Sequence, residues 1–276
     1  MRRLACCVSE ARHPEVSSAR QSIAEIRAAF AAARGAHLAY LLTEYSDDDR
    51  SGVAALCTAA RSRADAAAAE TRRTRKLYAM QRQLAEEGFL IVAGLDEVGR
   101  GALAGPVSAG AVILPLTPRI EGLDDSKRLT PARREELAAV IHQQAIAVAV
   151  AHVPASDIDA LGMTAALRRA FVSALEGLVV APDHVLLDGL PMHVVERETA
   201  VVKGDSKVAA IAAASIVAKV ARDAIMREIA TRHPEYGFEV NKGYGTSEHV
   251  GAIVRFGPCE LHRRSFSVGG GTMPLF

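Results

Sequence analysis

The sequence predicts an α/β fold in which a mixed sheet is flanked by helices, with an Ala-rich helical arm before it and a helical extension after it. Three observations carry this prediction. Phe89–Leu95 is an unbroken apolar run of strand length, as expected of a strand buried on both faces. Three strand segments come first and further strands then alternate with helices, a pattern that mixes antiparallel and parallel pairing. Acidic residues stand where the strand segments end, which is where open α/β sheets bind ligands.

In chain order, residues 1–76 read as the helical arm and residues 77–276 as the main domain. Within the arm, Ser22–Leu42 and Val53–Arg75 favour helix by propensity, and Asp47-Asp48-Asp49-Arg50-Ser51-Gly52 reads as a loop between them. The apolar faces of these helices are mostly Ala, so they bury little area and are expected to lean on a neighbour. Leu77, Met80 and Leu84 recur at helical spacing until Gly88 stops the run. The strand Phe89–Leu95 then delivers Asp96 and Glu97, and a Gly-rich turn, Val98–Pro106, leads into a second strand, Val107–Leu114, that Pro115 and Pro118 end. Thr130 and Pro131 open a helix to about Gln144, with Thr as N-cap. Ala145–Val153 is the third strand. Ser156-x-x-Asp159 has the form of a capping box before a helix that carries Met163, Leu167, Phe171, Leu175 and Leu178 on one face. His184–Leu187 is a short strand ending in Asp188-Gly189, and Ala200–Val202 is another, ending in Lys203-Gly204-Asp205. A long helix follows from Ser206 to about Arg232 and stops before Pro234; Thr246 caps a last one that runs to Gly257.

Composition removes several functional classes. The chain of 276 residues is half apolar and 24% charged, an ordinary globular mixture. Aromatics are 4% with no Trp, so a broad stacking platform for single-stranded bases is not expected. The longest apolar stretches, Ala145–Val153 and Val208–Ala218, fall short of the ~20 residues that span a bilayer. Arg2 and Arg3 precede only a short apolar run, Leu4–Val8, so no secretory leader is read, and a soluble cytoplasmic protein is expected. Cys6, Cys7, Cys57 and Cys259 have neither zinc-site nor redox spacing. Net charge is +1, with residues 1–90 holding 14 Lys/Arg against 11 Asp/Glu and the remainder 19 against 21. Any nucleic-acid face must therefore be local.

The acids carry the chemistry. Asp96, Glu97, Asp188 and Asp205 all fall at strand ends or just beyond. Carboxylates that converge there repel one another unless cations sit between them, and hard oxygen ligands suit Mg²⁺ or Mn²⁺. Two such ions can activate a water and stabilise the leaving oxygen of a phosphodiester. Taken singly, Asp205 reads equally well as a helix N-cap and Asp188-Gly189 as turn chemistry. Adjacent strand residues point to opposite faces, so Asp96 and Glu97 share a site only if the strand breaks or bulges near Gly99. Gly99-Arg100-Gly101 with Gly105 superficially suggests dinucleotide binding, but Pro106 and a strand follow where that motif needs a helix. Glycines here suit close approach of backbone amides to a ligand.

With these motifs in order, the chain resembles the ribonuclease HII family. The resemblance spans roughly residues 77–267 and rests on Gly94-Leu95-Asp96-Glu97-Val98-Gly99-Arg100-Gly101, Asp125-Ser126-Lys127-Arg128-Leu129 and Leu187-Asp188-Gly189. It continues through Val202-Lys203-Gly204-Asp205-Ser206-Lys207, Ala213–Asp223, Lys242-Gly243-Tyr244-Gly245-Thr246 and His262-Arg263-Arg264-Ser265-Phe266. The resemblance implies an RNase H-like sheet with a C-terminal helical extension. It implies endonucleolytic cleavage of RNA in RNA–DNA hybrids and at single ribonucleotides in duplex DNA, leaving 3′-hydroxyl and 5′-phosphate ends. By the same resemblance Asp96, Glu97, Asp188 and Asp205 hold the catalytic Mg²⁺ or Mn²⁺, the loop Gly99-Arg100-Gly101 reads the 2′-hydroxyl, and Tyr244 packs on the following sugar. Ser126, Lys127 and Lys207 join the substrate contacts. Sister ribonucleases HIII carry Gly-Lys-Gly at the loop and Glu as fourth acid, so Arg100 and Asp205 favour type HII. Ala102 stands where the family often has proline.

Lys127, Arg128, Lys203, Lys207, Lys242, Arg263 and Arg264 lie in or beside these motifs, where they either contact phosphates or are solvated surface charge. The alternative function is a hybrid-binding module that has lost catalysis. A monomer without membrane attachment is expected, with the arm dispensable for chemistry. A ring-only role for Tyr244 makes Tyr244→Phe mild and Tyr244→Ala severe.

Overall fold

The computed structural model describes residues 21–268 and 273–274. The Arg2–Val8 segment, with Cys6 and Cys7, lies outside the described residues. Five strands form one sheet. β1 (Val92–Val98) is central, with β2 (Val107–Ile113) and β3 (Ala147–Val153) on one side, and β4 (His184–Asp188) and β5 (Glu198–Val201) on the other. β1 to β3 pair antiparallel, and β4 and β5 run parallel to β1, giving the mixed sheet expected from the order of elements.

The apolar run and the strand are offset by three residues. Leu90 is exposed, and the carboxylate of Asp183 accepts the amides of Leu90 and Ile91. Pairing with β4, which starts at Val92 opposite His184, sets the beginning of β1. At its far end the ladder carries on regularly, with Asp96 opposite Gly110, Glu97 opposite Ala109 and Val98 opposite Ser108. The bulge expected inside this strand is therefore absent, and the chain turns only at Gly99, whose φ is +85°.

Among the described residues four helices precede the sheet: α1 (Ile23–Ala32), α2 (Gly35–Glu44), α3 (Ser51–Leu77) and α4 (Ala79–Glu86). The chain divides into two compact units between Ala69 and Glu70, inside α3. In the first unit, Ser22 and Glu25 form a reciprocal capping box at the start of α1. Ile26, Phe30, Leu38, Leu41, Val53 and Cys57 are buried together there. This segment thus has a core of its own, built from large residues scattered among the alanines, rather than an Ala face in need of support.

The second unit holds the sheet between two helical layers. α5 (Pro131–Gln144) starts with Thr130 as N-cap, as its sequence predicts. The expected single helix after β3 is two, α6 (Ala155–Leu161) and α7 (Met163–Glu176), divided at Gly162 with φ +78°. Ser156-x-x-Asp159 is not a capping box, because Pro154 caps α6 and Asp159 instead accepts the amides of Arg264 and Ser265. α7 buries Leu167, Ala170 and Phe171 against Leu95, Ala109 and Leu187 of the sheet. A fully buried Phe or Leu contributes roughly 1.5–3 kcal/mol. On the other core, α8 (Ala209–Arg232) and α5 pack Ile216, Leu137 and Ile141 with Val112, Leu123 and Tyr78. The alanines at the start of α8 press against Gly94 and Gly110, where any side chain would strike the helix backbone.

α9 (Phe238–Asn241) and α10 (Ser247–Phe256), the latter capped by Thr246, form the C-terminal extension. Tyr236, Phe238 and Ile253 make a third core with Leu103, Ala104 and Met226, so this extension packs onto the turn that follows β1. The short strands β6 (Ser267–Val268) and β7 (Met273–Pro274) close the described chain; no periodicity signals them. Among the described residues no helix is long and apolar enough to cross a membrane.

Candidate active site

Asp96 and Asp188 come together because β1 and β4 are parallel and in register up to Leu95 and Leu187, which makes the two aspartates the next neighbours at the strand ends. Asp205 arrives separately. It lies in a 3-10 turn, Gly204–Ser206, and the helix expected to start at Ser206 starts at Ala209 with Val208 as its N-cap. Asp205 is therefore not a helix cap, yet it is 6% exposed. The turn is tied to its neighbour by Asp188, whose Oδ1 accepts the Gly204 amide at 2.5 Å. Glu97 points to the opposite face of β1 from Asp96, and the strand does not break to bring it round. Its carboxylate lies where two clefts meet at the end of the sheet.

Asp96, Glu97 and Asp205 are poor places for a negative charge. Burial drives the Asp96 carboxyl well above its usual range against a hydrogen bond from Ser215, and Glu97 and Asp188 push it further. Glu97 is raised by burial, with Arg100 opposing and Asp188 adding. Asp205 is raised by burial and by the charges of Asp125 and Asp188, with Lys127 opposing. Burial pulls the Lys127 ammonium down, but Asp125, Asp96, Asp205 and Asp188 outweigh it and raise its proton affinity. Asp125 thus belongs to the electrostatics of the site, although sequence reasoning passed over it. The carboxylates remain apart: among the described residues, ligand atoms gather within 4.8 Å only at His233, Cys259 and Glu260, a grouping no sequence spacing suggests.

The donor set is all oxygen, buried at Asp96 and Asp205 and half-buried at Glu97 and Asp188, and mutually repelling, which fits a hard divalent cation. It is also supported from behind. The hydroxyls of Ser215 and Ser126 are 2.9 Å apart in a buried pair. The Ser215 hydroxyl donates to that of Ser126. Ser215 lies beside Asp96, and both serines line the cleft.

The turn after β1 is held very differently. Arg222 and Arg263 are both fully buried. Arg222 donates to the carbonyls of Pro106 (2.8 Å), Lys242 (2.9 Å) and Ala104 (3.2 Å). Arg263 donates to Arg100 O (2.9 Å) and twice to Gly105 O. Burial and the proximity of Arg222 lower the Arg263 guanidinium to about 9. A phosphate-contacting role for Arg263 is thereby corrected, because its donors are spent on backbone inside the protein. Arg222 sits within the Ala213–Asp223 motif, but nothing in the sequence marks it as buried.

Tyr244 closes this half of the site. Its hydroxyl accepts the Gly99 amide at 3.2 Å, and its ring lies under Arg222 and Lys219. The hydroxyl thus has a task, so a ring-only role is also corrected. A Cβ at Gly99 would collide with Arg222, whereas one at Gly101 would meet nothing within 4 Å. Gly99, Arg100, Gly101, Ser126, Lys127 and Tyr244 line one cleft of about 420 Å³ with Glu97. Glu97, Arg100 and Asp188 also line its neighbour, whose apolar wall includes Met163, Leu167 and Met192. Arg100 lies 3.7 Å from Glu97 and is 66% exposed at its side chain. Lys207 lines neither cleft and donates to Val202 O at 2.7 Å.

A family model described as Ribonuclease HII matches residues 93–268, and one described as Ribonuclease HII N-terminal domain matches residues 22–85. The chain belongs to the ribonuclease HII family. Its likeness to the family begins well before residue 77, because the helices at the start are a family domain. Ribonuclease HII of Moorella thermoacetica is 50% identical over 202 residues, covering 73% of this chain and 98% of that protein. Ribonuclease HII of Bacillus licheniformis is 41% identical over 226 residues, covering 82% and 89%. Among solved structures, ribonuclease H2 from Pyrococcus horikoshii OT3 is 26% identical with a TM-score of 0.54, covering 64% of this chain and 94% of that one. As a member of the ribonuclease HII family the chain is a metal-dependent endoribonuclease acting on RNA–DNA hybrids.

Proposed function

We propose that this ribonuclease HII also cuts at single ribonucleotides in duplex DNA, and that Asp96, Glu97, Asp188 and Asp205 hold two divalent metal ions at its active site. The observation that carries the reading is the contrast at the end of β1. Carboxylates that resist ionisation lie on one side. A turn held rigidly by two arginines lies on the other. Mg²⁺ or Mn²⁺ bound there would supply an activated water and stabilise the leaving oxygen, giving 3′-hydroxyl and 5′-phosphate ends.

The protein's own residues do the rest. Gly101 lets backbone approach the 2′-hydroxyl, the one group that separates RNA from DNA at a given position. Arg100, held at its carbonyl by Arg263 and exposed at its guanidinium, faces the scissile region beside Glu97. The Tyr244 ring supports the next sugar while its hydroxyl fixes Gly99. Lys127 tempers the repulsion among the acids and reaches phosphate, and Ser126, paired with Ser215, lines the same cleft. Lys207, bonded to Val202 O, extends the phosphate-contacting surface from the turn that carries Asp205. The same reading takes the enzyme as a monomer acting in the cytoplasm.

The test is a pair of duplex DNAs that differ in one 2′-hydroxyl, incubated with Mg²⁺, Mn²⁺ or EDTA. A site built around a hydroxyl rejects the analogue lacking it, because its own polar groups are left unpaired. Only the ribonucleotide-bearing duplex should be cut, and only with metal. Binding without cleavage under every metal condition would favour the inactive hybrid-binding module.

A further inference from the structure

Two buried histidines outside the site form a directed hydrogen-bond chain that ends on Tyr244. His249 is 0% exposed and His262 is 2% exposed. Nδ1 of His249 lies 2.9 Å from the Tyr244 carbonyl, and Nε2 lies 3.1 Å from Nε2 of His262. Nδ1 of His262 lies 3.0 Å from the Cys259 amide and 3.2 Å from its thiol. A carbonyl only accepts, so Nδ1 of His249 must carry its proton. In the neutral ring Nε2 of His249 then accepts, which requires the proton of His262 on Nε2. Nδ1 of His262 is left to accept from Cys259, whose amide can only donate. Each end of the chain dictates the same tautomers.

Surroundings favour this neutral pair. Tyr236 and Phe238 pack on both rings, with centroids 4.8 to 6.4 Å away. Burial and the presence of His249 hold His262 down to about 4, and burial lowers His249 as well. Protonating His249 would set two donors against each other at the shared contact, and protonating His262 would set its Nδ1 proton against the Cys259 amide. The pair is a rigid strut between the Cys259 turn and the Lys242-Gly243-Tyr244 turn, where Lys242 and Gly243 have φ of +51° and +83°.

We infer that His249 is a positioning residue for substrate recognition, its tautomer set by His262, fixing the backbone of Tyr244 so that its hydroxyl meets Gly99 and its ring meets the substrate sugar. The inference rests on the reading of Tyr244 as a substrate contact. Side-chain geometry supplies a discriminating pair of substitutions. His249→Asn places an amide nitrogen near the Nδ1 position and keeps the bond to Tyr244. His249→Gln reaches toward Nε2, keeps the bond to His262 and abandons Tyr244.

The experiment is steady-state cleavage of duplex DNA with one ribonucleotide by the full chain and these variants, each also combined with Tyr244→Ala. His249→Asn should stay within about twofold of wild type in KM. His249→Gln should raise KM about tenfold with kcat little changed, and should add nothing once Tyr244 is Ala, since coupled residues are non-additive. Equal effects of Asn and Gln, or a Gln effect that persists undiminished in the Tyr244→Ala background, would overturn the inference and leave a merely structural pair. Imidazole nitrogen NMR on the wild-type chain at pH 7 is an independent check that does not depend on either variant folding. It should find the proton on Nδ1 of His249 and on Nε2 of His262, and any other tautomer pair overturns the strut. Failure of the wild type to distinguish a single 2′-hydroxyl would instead strike the functional reading itself.

Discussion

The two halves of the site are stabilised in opposite ways. On the acid side, Asp96, Glu97 and Asp205 are all held where burial disfavours their charge, with Lys127 as a partial counterweight. On the turn side, every feature is over-determined. Two buried guanidiniums hold five backbone carbonyls, Tyr244 takes the Gly99 amide, and the histidine pair holds Tyr244. The lesson is a division of labour. On the proposed function, the half that would bind metal stores repulsion that a cation would release, while the half that would inspect the sugar must be rigid before substrate arrives, because discrimination depends on groups that cannot adapt.

The largest effect should come from cutting into the acid half. Asp188→Asn keeps the shape but removes charge that holds a cation, which supplies several kcal/mol of transition-state stabilisation. Turnover on the ribonucleotide duplex should fall on the order of 10³-fold or more. Next comes Arg263→Met, which strands the carbonyls of Arg100 and Gly105. Each buried unsatisfied group costs about 1–3 kcal/mol. The urea midpoint should therefore drop by the equivalent of about 2–5 kcal/mol, the reverse of the pattern for the acid half.

Glycine substitutions sharpen the comparison within the turn. Gly99→Ala meets both a φ of +85° and a collision with Arg222, so it should cost stability of about 1–3 kcal/mol as well as activity. Gly101→Ala has open space for its methyl, so its melting temperature should match wild type while cleavage at a ribonucleotide falls. If Gly101→Ala cuts normally, backbone at that position does not approach the 2′-hydroxyl. Smallest of all is Tyr244→Phe, which leaves the ring but strands the Gly99 amide, a loss of about 1 kcal/mol that should appear in KM rather than in folding.

The two halves were unequally legible in the sequence. Asp96, Asp188 and Asp205 could be read because acids at strand ends have a place in any α/β sheet. The sheet itself followed from apolar runs and their order. How Glu97 joins could not be read, because the periodicity of a strand demands a bulge that the structure does without. The turn half was nearly opaque. Arg263 reads as a phosphate ligand or a surface charge and Arg222 only as part of a motif, and three-dimensional burial alone reveals that their donors face inward. Asp159 looked like a helix cap for the same reason: its partners, the amides of Arg264 and Ser265, are about a hundred residues away. Large residues spread thinly among alanines hid the core of residues 21–69.

Thermal melting of the wild type and Asp188→Asn, each in EDTA and then with Mn²⁺, tests the stored repulsion directly. Because native Asp96, Glu97 and Asp205 carboxyls are raised, the metal-free native state binds more protons than the unfolded chain above the usual carboxylate range. Their contribution to stability therefore falls as pH rises through the raised values. At pH 7.5 in EDTA, Asp188→Asn should accordingly melt at or above the wild-type temperature. Mn²⁺ should raise the wild type and leave the variant nearly unmoved. A variant that melts below wild type without metal, or that gains as much from Mn²⁺ as wild type does, would contradict the account.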